Sequence, residues 1–414
     1  MEQFIERDII KSIQKHLDNK EITLITGARR SGKTTILNYL IEYLKDKRHL
    51  YLNLDIEEDK KFFQSQKSLL DRINFEFGTL DKIIYLFIDE IQRKENAGLF
   101  LKGIYDLDLP IKIITTGSGS LELKEKIHES LAGRKRIFQV NTLSFNEFVN
   151  FKNHLTPKQS ISDFAKVFPD KIYQNFEEYL TFGGYPQVVL AQTTEEKIAT
   201  LSEIYSSYVS KDIKNLLNIE RTSAFHNLIK VLANKSGNLI SKSSIAKSIG
   251  VSQGTVDTYL WYLEQTFIIK LVYPYFTNAR IEISKSPVVY FMDLGIKSMA
   301  EGNFNTDLNT KNGFAYENFI FRKLFETQTI GTILNYWRSN TGAEVDFVTG
   351  TRQNPIPVEV KMQYFKDNPK FGKSFYSFLE KYQPKQAYLY NLDTTTKNTI
   401  KNTLVETKRF FEGI

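Results

Sequence analysis

A short stretch near the N-terminus has the spacing of a phosphate-binding loop. The sequence GARRSGKT, from Gly27 to Thr34, fits the pattern G-x-x-x-x-G-K-[ST] at every fixed position. Its glycines let the backbone wrap a triphosphate, its lysine reaches the β- and γ-phosphates, and its last hydroxyl binds Mg²⁺. We therefore predict that Lys33 is catalytic and that Thr34 is a ligand of Mg²⁺. The residues predicted to hold the nucleotide here are Gly27, Ala28, Arg29, Arg30, Ser31, Gly32, Lys33, Thr34 and Thr35.

Two adjacent acids follow an apolar run further along the chain. In DKIIYLFIDEIQ, residues 81–92, the run ends in Asp89 and Glu90. We predict that Asp89 holds Mg²⁺ through water and that Glu90 orients or deprotonates the attacking water. Two acids at a strand end can instead cap a helix. The upstream glycine loop favours the catalytic interpretation, and the adjacent glutamate favours hydrolysis over phosphorylation of a small metabolite.

A third strand and an arginine extend the predicted phosphate site. The strand IKIITTGSGS, residues 111–120, ends in small hydroxyl residues. Thr116 and Ser118 are the candidates for a polar group beside the γ-phosphate, and we assign Ser118 to the nucleotide site; a turn-forming role is the alternative. Arg134, in LAGRKRIFQV, is predicted as a catalytic arginine finger or phosphate sensor. It acts within its own subunit or on a neighbouring copy, so a homo-oligomer is one expected state.

A hairpin near the C-terminus places charged residues on one of its faces. In AEVDFVTGTRQNPIPVEVKM, residues 343–362, two apolar arms flank a polar turn. Side chains alternate along a strand, so Glu359 and Lys361 share a face, and Asp346 lies on the polar face of the other arm. Glu317 lies in the first turn of a predicted amphipathic helix.

These four residues have the chemistry of a magnesium site that acts on phosphate. Mg²⁺ takes oxygen ligands, so we predict Asp346, Glu359 and Glu317 as metal ligands. Asp346, Glu359 and Lys361 are predicted as catalytic, the lysine by lowering the pKa of a metal-bound water or stabilising charge on the phosphate. Alternating charge on a hairpin is also typical of a solvent-facing sheet. A site that binds nucleic acid without cutting it would have the same sequence.

The elements around the phosphate loop indicate an α/β unit. EITLIT, residues 21–26, alternates like a buried strand, and TTILNYLIEYL, residues 34–44, has the apolar spacing of a helix. A strand, a glycine loop and a helix in this order direct backbone N–H groups and a helix N-terminus at a phosphate.

Residues 239–272 predict a helix-turn-helix within a winged-helix domain. Ala246, Gly250 and Val256 have the spacing of a helix crossing, a turn and a core contact. The second helix contains no Lys or Arg, and phosphate contacts need positive charge, so packing between domains competes with DNA reading. The predicted readers of base edges are Gln253, Thr255 and Thr258. The nearest cations are Lys242, Lys247, Arg280 and Lys285. Asp293, at a later strand end, is typical of a helix cap and receives no catalytic role.

The composition is that of an ordinary globular chain, and its 414 residues suggest about two to four domains. The absence of cysteine excludes disulfides, thiolate catalysis and cysteine-based zinc sites. The net charge is +7, and residues 351–414 hold 11 Lys/Arg against 6 Asp/Glu, which permits a nucleic-acid partner. The N-terminus lacks the apolar core of a signal peptide, and no apolar run approaches the ~18 residues that span a bilayer. We expect a cytoplasmic protein without membrane contact.

The motifs also occur in the order of a known family. GARRSGKTT, LNLD, FIDEIQ, TTGSGS, LAGR, LSFNEF and YLTFGGYPQVV follow one another along the chain. This order resembles the bacterial and archaeal AAA-type ATPases whose C-terminal half carries a domain of unknown function with a nuclease-like core. The resemblance covers nearly the whole chain and implies ATP and Mg²⁺ as cofactors, a doubly wound parallel sheet and a helical lid. The C-terminal acids resemble the PD-(D/E)xK signature of restriction-endonuclease-like folds.

The combined prediction is an α/β protein of four parts. These are a P-loop AAA-type ATPase domain (1–150), a helical lid or linker (151–220), a winged-helix domain (221–300) and a nuclease-like α/β domain (301–414). The predicted function is a Mg²⁺-dependent ATPase coupled to a nuclease-like module that acts on nucleic acid, DNA more than RNA. The alternative is an ATP-driven regulatory switch that binds a protein or DNA partner without cutting.

Overall fold

The computed structural model describes most of the chain. The described residues are 4–118, 130–208, 222–276, 285–311, 313–339, 341–365, 369 and 371–413. The chain divides into two compact units, Met1–Thr142 with Gln265–Phe267, and Leu143–Glu264 with Ile268–Ile414. Within the described ranges, no helix has both the length and the apolar character that a bilayer span requires. The predicted division into four parts is finer than these two units and stays a prediction.

The first unit is built around a parallel sheet. Its strands are β1 (Ile22–Gly27), β2 (His49–Asn53), β3 (Ile84–Asp89), β4 (Ile111–Ser118) and β5 (Lys135–Val140). They are ordered β2-β3-β4-β1-β5, and every neighbouring pair is parallel. The carboxyl ends of the strands therefore meet at one edge. β4 lies between β1, which leads into the phosphate loop (Gly27–Thr34), and β3, which ends in Asp89.

Helices cover both faces of this sheet, as predicted for an α/β unit. They are α1 (Ile9–His16), α2 (Lys33–Tyr43), α3 (Glu57–Lys60), α4 (Gln66–Phe77) and α5 (Ala97–Tyr105). Along β3, Leu86 and Ile88 pack into the core that contains α4 and α5. Tyr85 and Phe87 pack into the opposite core, which contains α1 and α2. A strand buried on both faces has no polar face, which explains the uninterrupted apolar run before the acidic pair.

The second unit begins with a helical segment, at the position predicted for a lid. Its helices are α6 (Phe145–Lys152), α7 (Ile161–Val167), α8 (Pro169–Phe182), α9 (Pro186–Leu190) and α10 (Thr194–Ser207). From α8, Phe176 stacks on Phe410 with ring centroids 4.1 Å apart, and the Tyr173 hydroxyl donates to the Leu392 carbonyl at 3.0 Å. The segment therefore packs on the C-terminal part of its own unit.

The middle segment, residues 222–293, contains the predicted pair of helices. Its elements are α11 (Thr222–Asn234), α12 (Lys242–Ile249), α13 (Gln253–Gln265) and the antiparallel strands β6 (Ile269–Val272) and β7 (Val288–Phe291). Ala246 and Val256 are buried, and Gly250 ends α12 with φ of +71°, where residues other than glycine are strained. Their burial and the turn agree with the predicted spacing, and the winged-helix assignment stays a prediction. Arg280, in the predicted wing, lies outside the described residues.

A six-stranded mixed sheet forms the C-terminal part. Its strands are β8 (Asn335–Arg338), β9 (Glu344–Gly350), β10 (Pro355–Val360), β11 (Gln386–Asn391), β12 (Thr396–Ile400) and β13 (Thr403–Arg409). The order is β12-β13-β11-β10-β9-β8, with β10–β11 and β11–β13 parallel. β9 and β10 form the predicted antiparallel hairpin, and α15 (Gly313–Glu326) and α16 (Lys373–Tyr382) pack against it.

Asp293 joins two distant parts of the second unit. Its Oδ1 accepts the N–H groups of Gly295 and Ile296 at 2.9 and 3.2 Å, which caps α14 (Leu294–Glu301). Its Oδ2 accepts the N–H of Gly184 at 2.9 Å. The side chain is 5% exposed, so water does not replace these partners. The predicted capping role of Asp293 is confirmed.

Replacing Asp293 by alanine should destabilise the second unit. The Asp293→Ala change leaves three buried N–H groups without their acceptor, and we expect a loss of about 2–4 kcal/mol in the free energy of unfolding. Urea denaturation followed by circular dichroism measures the loss. Asp307 is a matched control, because this exposed cap accepts the Asn309 N–H at 2.9 Å. An Asp307→Ala loss as large as that of Asp293→Ala would contradict the prediction.

Candidate functional site

Two glycines shape the phosphate loop, for different reasons. Gly27 has φ of +154°, and a Cβ there would lie 2.0 Å from the Val140 carbonyl oxygen. Gly32 has φ of +94° and begins α2 as its N-cap residue. The loop therefore needs glycine at both fixed positions of the motif. All nine predicted residues lie between the end of β1 and the first turn of α2.

Lys33 lies over the backbone of the loop. Its Nζ donates to the carbonyls of Ala28 and Gly27 at 2.8 and 3.2 Å, and the residue is 6% exposed. A buried ammonium held against the backbone of a phosphate loop is placed to bind phosphate oxygens. Arg7, which we did not predict from the sequence, braces the same loop by donating to the Ser31 carbonyl at 3.0 Å. No sequence motif marks Arg7.

Asp89 lies at the centre of a hydrogen-bond network at the edge of the sheet. The Thr34 hydroxyl donates to Asp89 Oδ2 at 3.0 Å, and the Thr116 hydroxyl donates to Oδ1. The Tyr51 hydroxyl donates to Oδ2 at 3.4 Å. The predicted magnesium ligands Thr34 and Asp89 are thus in direct contact. Tyr51 was not predicted from the sequence, although its position near the end of β2 places it with Asp89 at the carboxyl ends of the strands.

Thr116 is the strand-end hydroxyl that reaches the acidic pair. It bonds Asp89 and also accepts the backbone N–H of Glu90 at 3.1 Å. The assignment of Ser118 concerns a side chain that lies outside the described part and stays a prediction. Since Thr116 contacts the predicted magnesium ligand Asp89 and the backbone of the predicted catalytic Glu90, it is the better supported candidate for a residue that senses hydrolysis.

Glu90 has an unusual backbone conformation and a raised pKa. Its φ and ψ are 58° and 44°, in the left-handed region that is uncommon for residues other than glycine. Burial raises the pKa of the Glu90 carboxyl, although the charge of Lys33 opposes that rise. The Gln92 amide donates to its Oε2. A raised pKa suits a carboxylate that accepts a proton from water.

The residues at this edge fit a magnesium ion with a triphosphate. A hydroxyl and a carboxylate meet at Thr34 and Asp89, which is the oxygen donor set that Mg²⁺ prefers. The Ser31 hydroxyl oxygen is buried within the loop and has no hydrogen-bond partner among the described residues. A buried polar atom of this kind is costly unless a ligand satisfies it.

Arg134 lies at the amino ends of the strands, whereas the phosphate loop lies at their carboxyl ends. Its carbonyl accepts the Ile22 N–H at 2.9 Å, and β5 then runs in register with β1 until Val140 pairs with Gly27. This separates it from the loop by about 17 Å, at about 3.3 Å per residue. Its Nε donates to Asp106 Oδ1 at 2.7 Å. Arg134 therefore lies far from the phosphate loop of its own chain, and both of its predicted modes of action stay predictions.

The C-terminal residues Glu317, Asp346, Glu359 and Lys361 form an acidic cluster. The Lys361 Nζ lies 2.7 Å from Glu359 Oε1. Asp346 Oδ2 accepts the backbone N–H of Val360 at 2.7 Å, so the two arms of the hairpin are joined at the cluster. Glu317 accepts a hydrogen bond from the Tyr290 hydroxyl. Tyr290 was not identified from the sequence, because it lies in another part of the chain.

Burial and the charge of nearby acids raise the pKa of all three carboxyls. Burial is the largest cause in each case, and it raises the pKa of Glu317 to about 7. The pKa of Asp346 lies well above its ordinary value because Glu359 and Glu317 repel its charge as well. The pKa of Glu359 is also raised, although Lys361 opposes the rise. Among the four residues that define the cluster, three are acids and one is a cation, so the negative charge is in excess when all three acids are ionised.

The cluster fits a divalent cation in charge and in donor chemistry. Glu359 Oε2 is buried and has no hydrogen-bond partner among the described residues. Oxygen donors and excess negative charge suit Mg²⁺. In the conformation observed, however, no three acidic or histidine side chains of the described chain come close enough together to hold one metal ion. The assignment of Asp346, Glu359 and Glu317 as metal ligands therefore stays a prediction.

The predicted DNA-reading helix, α13, presents polar side chains but little positive charge. Gln253 and Thr258 are exposed, and Thr255 is half-buried. Lys242, one of the cations just upstream of α13, lies 2.5 Å from Asp257 on the same helix pair. In this ion pair Asp257 offsets the positive charge of Lys242, which contacts with DNA phosphates would need.

Three families match separate parts of the chain. Residues 19–149 match a family described as AAA domain, residues 173–307 a domain of unknown function (DUF8612), and residues 312–409 another (DUF4143). An uncharacterized protein of Haemophilus influenzae is 26% identical over 357 residues, 84% of this chain and 84% of that protein. An uncharacterized protein of Methanocaldococcus jannaschii is 26% identical over 318 residues, 70% of this chain and 65% of that protein.

Solved structures add little to these matches. The structure of C. elegans PCH-2 has a TM-score of 0.28 and 14% identity, and the match covers 51% of this chain and 63% of that one. A similarity this low supports no argument about the fold. The AAA domain match coincides with the five-stranded parallel sheet and its glycine loop. Residues 19–149 therefore form an AAA-type P-loop domain.

Proposed function

We propose that the chain hydrolyses Mg·ATP at the phosphate loop and couples this reaction to a nuclease-like module that acts on DNA. The ATPase half of the proposal rests on the contacts of Asp89 with Thr34 and Thr116. These contacts put the predicted magnesium ligands beside a hydroxyl that also touches the backbone of Glu90. The AAA domain match supports the same conclusion.

Each residue at this edge has a role in hydrolysis. When bound, Mg²⁺ supplies positive charge that offsets the charge developing on the transferred phosphoryl group. Lys33 binds phosphate oxygens with its ammonium, and Thr34 and Asp89 hold the metal. Glu90, with its raised pKa, accepts the proton of the attacking water. Thr116 holds the Asp89 carboxylate and the backbone of Glu90 in fixed positions relative to each other.

Two substitutions separate nucleotide binding from turnover. Lys33→Ala removes the phosphate-binding ammonium and should abolish binding of a fluorescent ATP analogue. Glu90→Gln keeps the shape of the site but loses the proton acceptor, so it should bind ATP and lower kcat by about 100–10,000-fold. Calorimetry and a phosphate-release assay measure the two effects. Wild-type affinity in Lys33→Ala would overturn the assignment of the phosphate loop.

The role of Thr116 is tested by substituting it and, as a control, the neighbouring Thr115. Thr116→Val removes the hydroxyl that contacts both acids and should lower kcat about 10–100-fold while KM for ATP changes little. Thr115→Val is the matched control, because its buried hydroxyl donates to the Ile88 carbonyl at 2.9 Å and touches neither acid. Equal loss of kcat in the two variants would show that Thr116 is merely structural.

The nuclease half of the proposal rests on the buried, unpartnered oxygen of Glu359. This oxygen lies in a cluster whose negative charge exceeds its positive charge, where a divalent cation would be stabilising. Asp346 and Glu359 would hold the ion, which when bound supplies Lewis acidity toward a phosphodiester. Lys361, 2.7 Å from Glu359, places an ammonium where charge develops on phosphate.

Cleavage assays test whether the acidic cluster catalyses the hydrolysis of DNA. We expect the wild type to cut linear, plasmid or branched DNA with Mg²⁺ or Mn²⁺, and Asp346→Ala or Lys361→Ala to reduce the rate by at least about 100-fold. Glu406→Gln is the control, because Glu406 is a sheet acid paired with Lys397 at 3.3 Å outside the cluster. If neither DNA nor RNA is cut with either metal while ATP is hydrolysed, the nuclease half fails.

A second candidate function is an ATP-driven switch that binds its partner without cutting. The observation that favours it is the lack, among the described residues, of three acids close enough to share one ion. The two functions differ in one measurement. Fluorescence anisotropy with labelled duplex DNA would detect binding in both, and only the nuclease also shortens the DNA. A Gln253→Ala variant with unchanged affinity would exclude α13 as the reading helix.

Self-association is part of the same proposal. The distance between Arg134 and its own phosphate loop favours action on the nucleotide of a second copy. Sedimentation velocity with and without ATP tests for such a complex. A chain that stays monomeric with ATP bound would remove Arg134 from the catalytic residues.

A further inference from the structure

The acidic cluster is touched by a strand of the middle segment. Tyr290 lies in β7, and its hydroxyl donates to Glu317 Oε1. The tyrosine is 1% exposed, and its ring stacks on Phe321 with centroids 4.6 Å apart and planes 10° from parallel. On another side, the ring centroid lies 5.3 Å from that of Phe347. The ring is therefore held between α15 and β9, with its hydroxyl directed at the carboxylate.

A glycine of the middle segment lies near the other oxygen of the same carboxylate. Gly237 follows α11, and its N–H donates to the Val289 carbonyl at 3.0 Å, which joins it to β7. A Cβ on Gly237 would lie 3.4 Å from Glu317 Oε2 and 2.6 Å from the Phe314 ring. Gly237 also has φ of +79°, so the position admits no other residue without strain. The middle segment thus approaches both oxygens of Glu317.

A buried asparagine anchors this arrangement. Asn318, the residue after Glu317, accepts the N–H of Phe291 at 2.8 Å and donates to the Phe291 carbonyl at 2.8 Å. Its Oδ1 also accepts the Ser236 hydroxyl at 2.7 Å. One side chain on α15 therefore satisfies the backbone of β7 and binds the segment that precedes Gly237. The position of Glu317 is determined by the middle segment as much as by its own helix.

We propose that Tyr290 is a positioning residue that holds Glu317 for cation binding, so that the middle segment completes the acidic cluster. The inference rests on the proposed metal site. Groups that hydrogen-bond a metal's ligands set the orientation of those ligands, and their loss typically weakens metal binding about 10–100-fold. A phenylalanine would fill the same space between Phe321 and Phe347. The hydroxyl and its bond to Glu317 are what the tyrosine adds.

Manganese binding to the full-length chain tests the inference without any activity assay. The free Mn²⁺ signal in electron paramagnetic resonance gives the Kd in the absence of nucleotide, and Asp346→Asn provides the background from other sites. We expect Tyr290→Phe to raise the Kd about 10–100-fold. Tyr316→Phe is the matched control and should keep the wild-type Kd. Tyr316 is buried on α15, the helix that carries Glu317, but its hydroxyl donates to the Asn391 carbonyl at 2.9 Å and not to Glu317.

A double-mutant cycle separates positioning from a general loss of structure. If Tyr290 acts through Glu317, then Tyr290→Phe should cause no further change in a Glu317→Gln background. An equal loss in both backgrounds, or an unchanged or lower Kd in Tyr290→Phe, would overturn the positioning role and leave the proposed function standing. Wild-type binding no greater than that of Asp346→Asn would instead overturn the metal site, and the positioning role with it.

Discussion

The hydrogen bonds of Thr34 and Thr116 to Asp89 join the first turn of α2 and the strand β4 to the end of β3, beside the phosphate loop. The Thr116 bond links the neighbouring strands β4 and β3, and the parallel pairing of β4 with β1 and β3 brings the phosphate loop and the acidic pair to the same end of the sheet. A shift of β4 by one residue would turn Thr116 to the opposite face and break its contacts with Asp89 and the Glu90 N–H. The geometry of the proposed ATPase site therefore depends on the register of β4 between β1 and β3.

The acidic cluster depends on a different constraint, the cost of burying like charges. Three carboxyls lie together in the second unit, each with its pKa raised by burial, and Lys361 is the one cation within the cluster. Such an arrangement lowers stability unless a bound ion or proton offsets the charge. The bonds from Val360 to Asp346 and from Tyr290 to Glu317 satisfy only part of this demand. A cluster kept at such a cost is more typical of a functional site than of packing.

Asp293 shows that an acid at a strand end can serve packing alone. Its carboxylate accepts hydrogen bonds from two parts of the chain that are far apart in sequence, the N–H of Gly184 and the N–H groups in the first turn of α14. Every oxygen of its carboxylate has a partner, in contrast to Glu359, whose Oε2 has none among the described residues. The difference between a structural and a candidate catalytic carboxylate is therefore visible in hydrogen bonding and not in the sequence pattern, since both acids follow or lie in buried strands.

Local motifs determined much of what could be known in advance. The phosphate loop, the acidic pair at the end of β3 and the C-terminal hairpin are contiguous stretches whose glycines, periodicity and charges reflect short-range geometry, and the strands, helix and turn around them were predicted from the sequence. The contacts of Thr116, Tyr51 and Tyr290 could not be predicted, because they depend on strand order and on pairing between distant segments. The position of Arg134 at the amino ends of the strands has the same origin. Sequence determines which groups each segment carries, whereas only tertiary structure decides which groups meet, because burial and strand pairing act between residues far apart in the chain.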